Sequence, residues 1–134
     1  MTTPPDTLKP RRGTVRARFR HYMRGEPAFH DMPATIVGEL AVHRHGYLEA
    51  DGALRISTRA RARHWRVTHT LTGEHLGDRP LPIALHNCKR ARDLIAWAAA
   101  IQEACPDFFT AAREGDRERM RALVGDLIDK GRAL

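Results

Sequence analysis

The stretch that most constrains this chain is Thr14–Gly25, TVRARFRHYMRG. Arginine stands at 16, 18, 20 and 24, and Val15, Ala17, Phe19, His21 and Met23 fill the gaps. A period of two divides these residues between the faces of a β-strand, one apolar and one basic. A helix is also legible. Thr14 can cap its start, Gly25 can follow its end, and Val15, Phe19, Tyr22 and Met23 make a stripe. The next segment arbitrates. RGEP reads as a turn, and AFHDM is a short segment able to pair back before Pro33 stops it. A hairpin accounts for both halves, whereas a helix leaves AFHDM without a partner, so the strand is preferred.

Further strands follow. Ala34–Glu49 reads as one strand, with Ile36, Leu40 and Val42 sharing a face with Leu48 and with Gly38 or Gly46 as possible bulge positions. The ADGA turn has two candidate registers. A two-residue Asp51-Gly52 loop sets Leu54 opposite Glu49 and mixes the faces. A three-residue loop with Gly52 in the left-handed region sets Leu54 opposite Leu48, Arg55 opposite Tyr47 and Ile56 opposite Gly46. The second keeps one face apolar and is preferred. Continued through RARAR, it lays Arg55, Ser57, Arg59, Arg61 and Arg63 beside Tyr47, His45, His43, Ala41 and Glu39. HWRVTHTLTG is a last strand, with Trp65, Val67, His69 and Leu71 on one face.

The final third is helical. Asn87 is a candidate N-cap for Cys88–Cys105, whose stripe is Ala91, Leu94, Ile95, Ala98, Ile101 and Cys105. A short helix over Asp107–Arg113 is capped by Gly115. The last helix runs from Asp116 as N-cap to Lys130 with Gly131 just past its end, and Met120, Leu123, Val124, Leu127 and Ile128 form its core stripe. The fold class expected is therefore α+β: an antiparallel sheet of four or five strands in the N-terminal two-thirds, packed by two or three C-terminal helices.

At 134 residues the chain suits one domain, placed at 14–134 behind a flexible basic arm of residues 1–13. No apolar run reaches the roughly 20 residues of a membrane span, and the N-terminus lacks the apolar core of a secretory signal. Cys88 and Cys105 have neither metal spacing nor a disulfide framework. These features suggest reduced thiols, no membrane contact and a cytoplasmic location.

Net charge is +7, with 20 arginines against 3 lysines. The excess is local. Residues 1–24 carry seven basic residues and one acid, residues 25–52 one arginine and five acids, and residues 53–66 five arginines and no acid. The candidate contact residues are accordingly Arg16, Arg18, Arg20, Arg24, Tyr47, Arg55, Arg59, Arg61, Arg63 and Arg66. Guanidinium groups with an interleaved aromatic suit phosphates and stacked bases. The alternative is a solvated sheet face whose charges prevent edge-to-edge aggregation. His43 and His45 in HRH share a strand face, but zinc takes three or four ligands, and no local cysteine or carboxylate completes a set. No nucleophile motif or phosphate-cradling glycine loop occurs. Neither an enzyme nor a metal or cofactor is expected.

PATIVGELAVHR, then WRVTHTLTGEHL, a polar loop and CKRARDLIAWAAAI, resembles small orphan proteins of phages, plasmids and integrated mobile elements. In those a W-x-V-x-H-x-x-T-G strand and turn leads into a helix. The resemblance covers about half the chain and implies no activity of its own. It does raise a second class of function, an anti-CRISPR-like inhibitor of host defence acting by protein contact. The first reading is a non-enzymatic module that binds nucleic acid or a nucleoprotein complex through an arginine-rich sheet face.

Overall fold

The computed structural model describes residues 8–20, 27–44, 46–49, 51–56, 65–72 and 91–134. The described strands are β1 (Arg11–Arg20), β2 (Pro27–Val37), β3 (Leu40–Arg44), β4 (Gly46–Leu48), β5 (Leu54–Ile56) and β6 (Trp65–His69). The described helices are α1 (Ala91–Ala104), α2 (Pro106–Glu114) and α3 (Arg117–Ala133). A four-stranded antiparallel sheet, ordered β1-β2-β3-β6, and a separate β4-β5 ribbon pack with the three helices. The fold is α+β.

The strand reading of Thr14–Gly25 holds from Thr14 to Arg20, and β1 begins at Arg11, inside the expected arm. Leu8, also in that arm, is buried. Residues 21–26, with Arg24 and the RGEP turn, lie outside the described residues. Alternation sorts the side chains of β1 as the period requires. Val15, Ala17 and Phe19 are buried with Met32 and Ile36, while Arg12, Thr14, Arg16 and Arg18 are exposed.

Pro33 does not stop β2, which runs through it to Val37. The physical reason lies in the ladders. The turn Gly38-Glu39 has two residues, so Val37 and Leu40 form the closing hydrogen-bonded pair and Thr35–Val42 the next. The backbone groups of Pro33 then point toward β3, and its pairing with Thr14 of β1 needs no proline N–H. The missing donor ends the other ladder instead. Pairing of β2 with β3 covers only Thr35–Val37, and the two strands part beyond it.

The expected single strand over Ala34–Glu49 is therefore a hairpin followed by a separate short strand. Gly38 has φ 59°, the positive value a tight hairpin turn demands at its first position. A Cβ there would lie 2.4 Å from Gln102 Oε1 and 2.7 Å from Leu8 Cδ2. The two-residue turn also resets the phase of the alternation. Leu40 and Val42 share their face with Val37, whereas Ile36 joins Ala41 on the other. The expected grouping of Ile36 with Leu40 and Val42 is corrected accordingly.

Each face of the sheet has its own cover. Val37, Leu40, Val42 and Val67 meet Leu94, Trp97, Ala98, Ile101, Phe108, Phe109 and Leu127 of the helices. Burial of each large side chain is worth roughly 1.5–3 kcal/mol. On the other face Leu48 and Leu54 of the β4-β5 ribbon close over Val15, Ala17, Phe19, Met32, Ile36 and Ala41. Within that ribbon the preferred register is found residue for residue: Leu48 faces Leu54, Tyr47 faces Arg55 and Gly46 faces Ile56, with Gly52 at φ 87°.

In the helical third, Gly115 caps α2 in the left-handed region and the Asp116 side chain accepts from the Arg119 backbone N–H to start α3. The expected stop at Gly131 is overrun, since α3 continues to Ala133. Gly131 is buried, and its carbonyl accepts the Trp97 indole N–H at 3.1 Å. Asn87 and Cys88 lie outside the described residues. Leu71, expected on the face of Val67, is exposed because β6 ends at His69. No described helix is long and apolar enough to cross a membrane.

Candidate nucleic-acid interface

The helices meet β2 at its Val37 end, and along β1 the residues on the face opposite Val15, Ala17 and Phe19 are exposed. Arg12, Thr14, Arg16 and Arg18 stand along it on β1, and on β2 their cross-strand partners are Thr35, Pro33, Asp31 and Phe29. Alternate residues of a strand are about 6.8 Å apart, so Arg16 and Arg18 are neighbours along the row and Arg12 stands beyond them across Thr14. Arg20 continues it by position.

Among the described residues of this hairpin Phe29 is the largest exposed apolar group, at 42% exposure, and the Arg16 guanidinium carbon lies 5.5 Å from its ring centroid. The pair forms a flat, cationic, partly apolar surface. Asp31 sits opposite Arg16 and reduces the local charge. Phe29 and Arg12 were not among the sequence candidates. Phe29 could have been read from the strand phase, since it alternates with Ala28 and His30.

Of the second arginine segment, Arg55 and Arg66 are described. Residues 57–64, with Arg59, Arg61 and Arg63, lie outside the described residues. The expected placing of these residues beside His45, His43 and Glu39 therefore lies outside the described residues, and the strand paired with β3 on that side is β6. Leu40 faces His69, Val42 faces Val67 and His43 faces Arg66. The β4-β5 ribbon turns back at Asp51-Gly52 and packs on the sheet rather than extending it. Arg55 is exposed and its Nε donates to Glu49 Oε1 at 2.7 Å. It alternates with Leu54, which faces the sheet, so it lies on the outer side of the ribbon. The β1 row is on the opposite face of the sheet, and the described arginines do not converge on one surface. Arg66 is half-buried.

His43 is no part of an exposed basic face. It is 1% exposed, its Nδ1–H donates to the Arg44 carbonyl at 2.8 Å, and its Nε2 lies 2.6 Å from the Thr68 hydroxyl. The Arg44 carbonyl is the group that a residue at 33 with an N–H would have engaged. The buried imidazole thus satisfies an acceptor that Pro33 leaves open. His45 lies outside the described residues. Among the described residues, no three histidine, cysteine or acidic side chains are grouped to hold a metal.

A second polar cluster joins the hairpin turn to the helices. The Glu39 carboxylate accepts from the Arg113 guanidinium and lies 3.4 Å from Nε2 of the buried His69, whose Nδ1 is 3.2 Å from the Thr72 hydroxyl. The Glu39 backbone N–H donates to Gln102 Oε1 at 2.8 Å, and Gln102 Nε2 donates to the Val37 carbonyl at 2.7 Å. Every partner is part of the fold, so the cluster ties β2, β3, β6, α1 and α2 together. Burial, and then the Asp126 charge, push the Cys105 thiol above the ordinary thiol pKa, which disfavours the thiolate that nucleophilic chemistry needs.

Comparison with protein-family models, with curated proteins and with solved structures yields no match. The resemblance to mobile-element proteins gains nothing from these comparisons.

Proposed function

We propose that this protein is a small non-enzymatic binding module that engages nucleic acid, free or within a nucleoprotein complex, through the exposed face of its β1-β2 hairpin. One observation carries the reading: Arg12, Arg16 and Arg18 stand exposed in a row beside the exposed ring of Phe29. Guanidinium forks suit phosphate oxygens, and the ring offers a stacking surface indifferent to base identity. The face is also rigidly backed, since the intervening Val15, Ala17 and Phe19 are locked in a core. Inhibition of a host defence system by protein contact rests on the sequence resemblance alone.

The test is fluorescence anisotropy with a labelled 20-nucleotide single strand at 50 and 200 mM salt. Binding should weaken steeply with salt, and the Arg16→Ala/Arg18→Ala double variant should lower the slope of log K against log salt by about 1.4, or roughly 0.7 for each phosphate no longer neutralised. The variant should unfold at the same denaturant concentration as the parent, because both residues are exposed. Salt-independent binding, or a slope unchanged in the variant, would overturn the reading.

A further inference from the structure

The parting of β2 and β3 beyond Thr35 and Val42 opens a cleft of about 550 Å³ at one end of the arginine row. Its lining includes Arg12, Met32, Pro33, Thr35, Arg44 and Trp65. We infer that this cleft receives one unstacked base of a single-stranded nucleic acid whose backbone follows Arg12, Arg16 and Arg18. The inference rests on the proposed function and adds the form of the nucleic acid to it.

Four observations support a base. Met32, Pro33 and Trp65 give the cleft apolar walls, and its size lies in the range of small-ligand pockets. The Arg44 guanidinium carbon is 4.5 Å from the Trp65 ring centroid, so a planar cation and an aromatic ring stand together in that lining. Such planes are what proteins stack on splayed bases. The pairing of β2 with β3 stops at Thr35–Val42, so Pro33 and Arg44 face each other across the cleft rather than within a continuous ladder. Finally, Arg12 belongs to both features: it is exposed on the row and it lines the cleft. A strand held at Arg12 therefore has a base at the mouth of the cleft. A duplex cannot deliver one without unpairing it.

The opening is a property of the sequence as well as of the packing. Pro33 removes the donor that would have zipped β2 to Arg44, and His43 occupies the Arg44 carbonyl from within. The chain itself thereby holds the gap open.

The experiment compares three labelled probes of equal length by anisotropy: a base-bearing single strand, an abasic strand of the same charge, and a duplex. The base-bearing strand should bind about tenfold tighter than either of the others. Arg44→Lys keeps the charge and removes the planar group, and Thr35→Trp fills the cleft. Either change should bring the base-bearing strand down to the abasic affinity and leave the abasic affinity unchanged. Equal affinity for the base-bearing and abasic strands, both salt-dependent, would overturn the cleft and leave the arginine row standing. Tightest binding of the duplex would overturn the single-strand assignment. Absence of binding to every probe at low salt would overturn the row, and the cleft with it.

Discussion

The two halves of the sheet differ in what covers them. One half, around β3 and β6, lies beneath three helices that bury Leu94, Ile101 and Phe109 almost completely. The other half, the β1-β2 hairpin, is covered on one face by a ribbon that contributes Leu48 and Leu54, and among the described residues the helices meet its other face only near Val37. Its remaining face carries arginines. The contrast separates tasks. The helix-clad half has enough buried surface to hold the fold, and the hairpin uses a thin core to present a flat charged face. A strand buried on both sides could not display Arg16 and Arg18, and an unsupported two-stranded hairpin would be only marginally stable.

The contrast predicts unequal costs for the same deletion. Ile101→Ala should destabilise the protein by about 4 kcal/mol and Ile36→Ala by about 2 kcal/mol, read from denaturant midpoints at equal m-values. Both residues are buried, but only Ile101 is enclosed by helices and sheet together. Equal costs would break the comparison.

Gly38→Ala tests the join between the halves and should cost about 2 kcal/mol. The residue has a positive φ, and an added Cβ meets Gln102, which accepts the Glu39 N–H. Thermal unfolding should show the loss, and Gln102→Ala should make the glycine substitution less costly by removing the nearest obstacle.

The smallest effect concerns alkaline pH. Cys105 lies in the helix-clad core, and its folded pKa is raised, first by burial and then by Asp126. Below the ordinary thiol pKa both states are protonated and the residue adds no pH dependence. Above it the unfolded chain ionises first, so stability is lost as pH rises from about 9 toward the folded value. Cys105→Ala should shed that part of the alkaline decline, seen as a smaller drop in Tm between pH 8 and pH 10. An unchanged decline would place the thiol outside the core.

Several local signals that rest on a short-range rule were read correctly, although the Gly131 stop was overrun. The alternation of β1, the Leu48–Leu54 register of the ADGA hairpin, the Gly115 cap and the Asp116 N-cap all follow from residues a few positions apart. Errors arose where one residue type serves two geometries. Gly38 suits a bulge or a tight turn, and the turn shifted Ile36 to the other face. Pro33 ends a ladder on one side and is harmless on the other, depending on which way its backbone groups point. The candidate site was half legible. Arg16 and Arg18 follow from the period, but a single basic surface with His43 and Arg55 does not survive, because His43 is buried and Arg55 lies on the far side of the ribbon from the β1 row.

Composition, period and caps thus determined by themselves that this is an α+β chain with a basic strand face and a helical end. A period assigns a side chain to a face at no distance from its own residue, so it needs no knowledge of the rest of the chain. The tertiary structure alone decided which strand borders which, where the sheet opens, and which face the helices leave uncovered. Those choices depend on burying Val42 against Val67 and Leu40 beneath α1, contacts between residues far apart in sequence. Their free energy is shared among all the elements that meet there, and no window of sequence contains it.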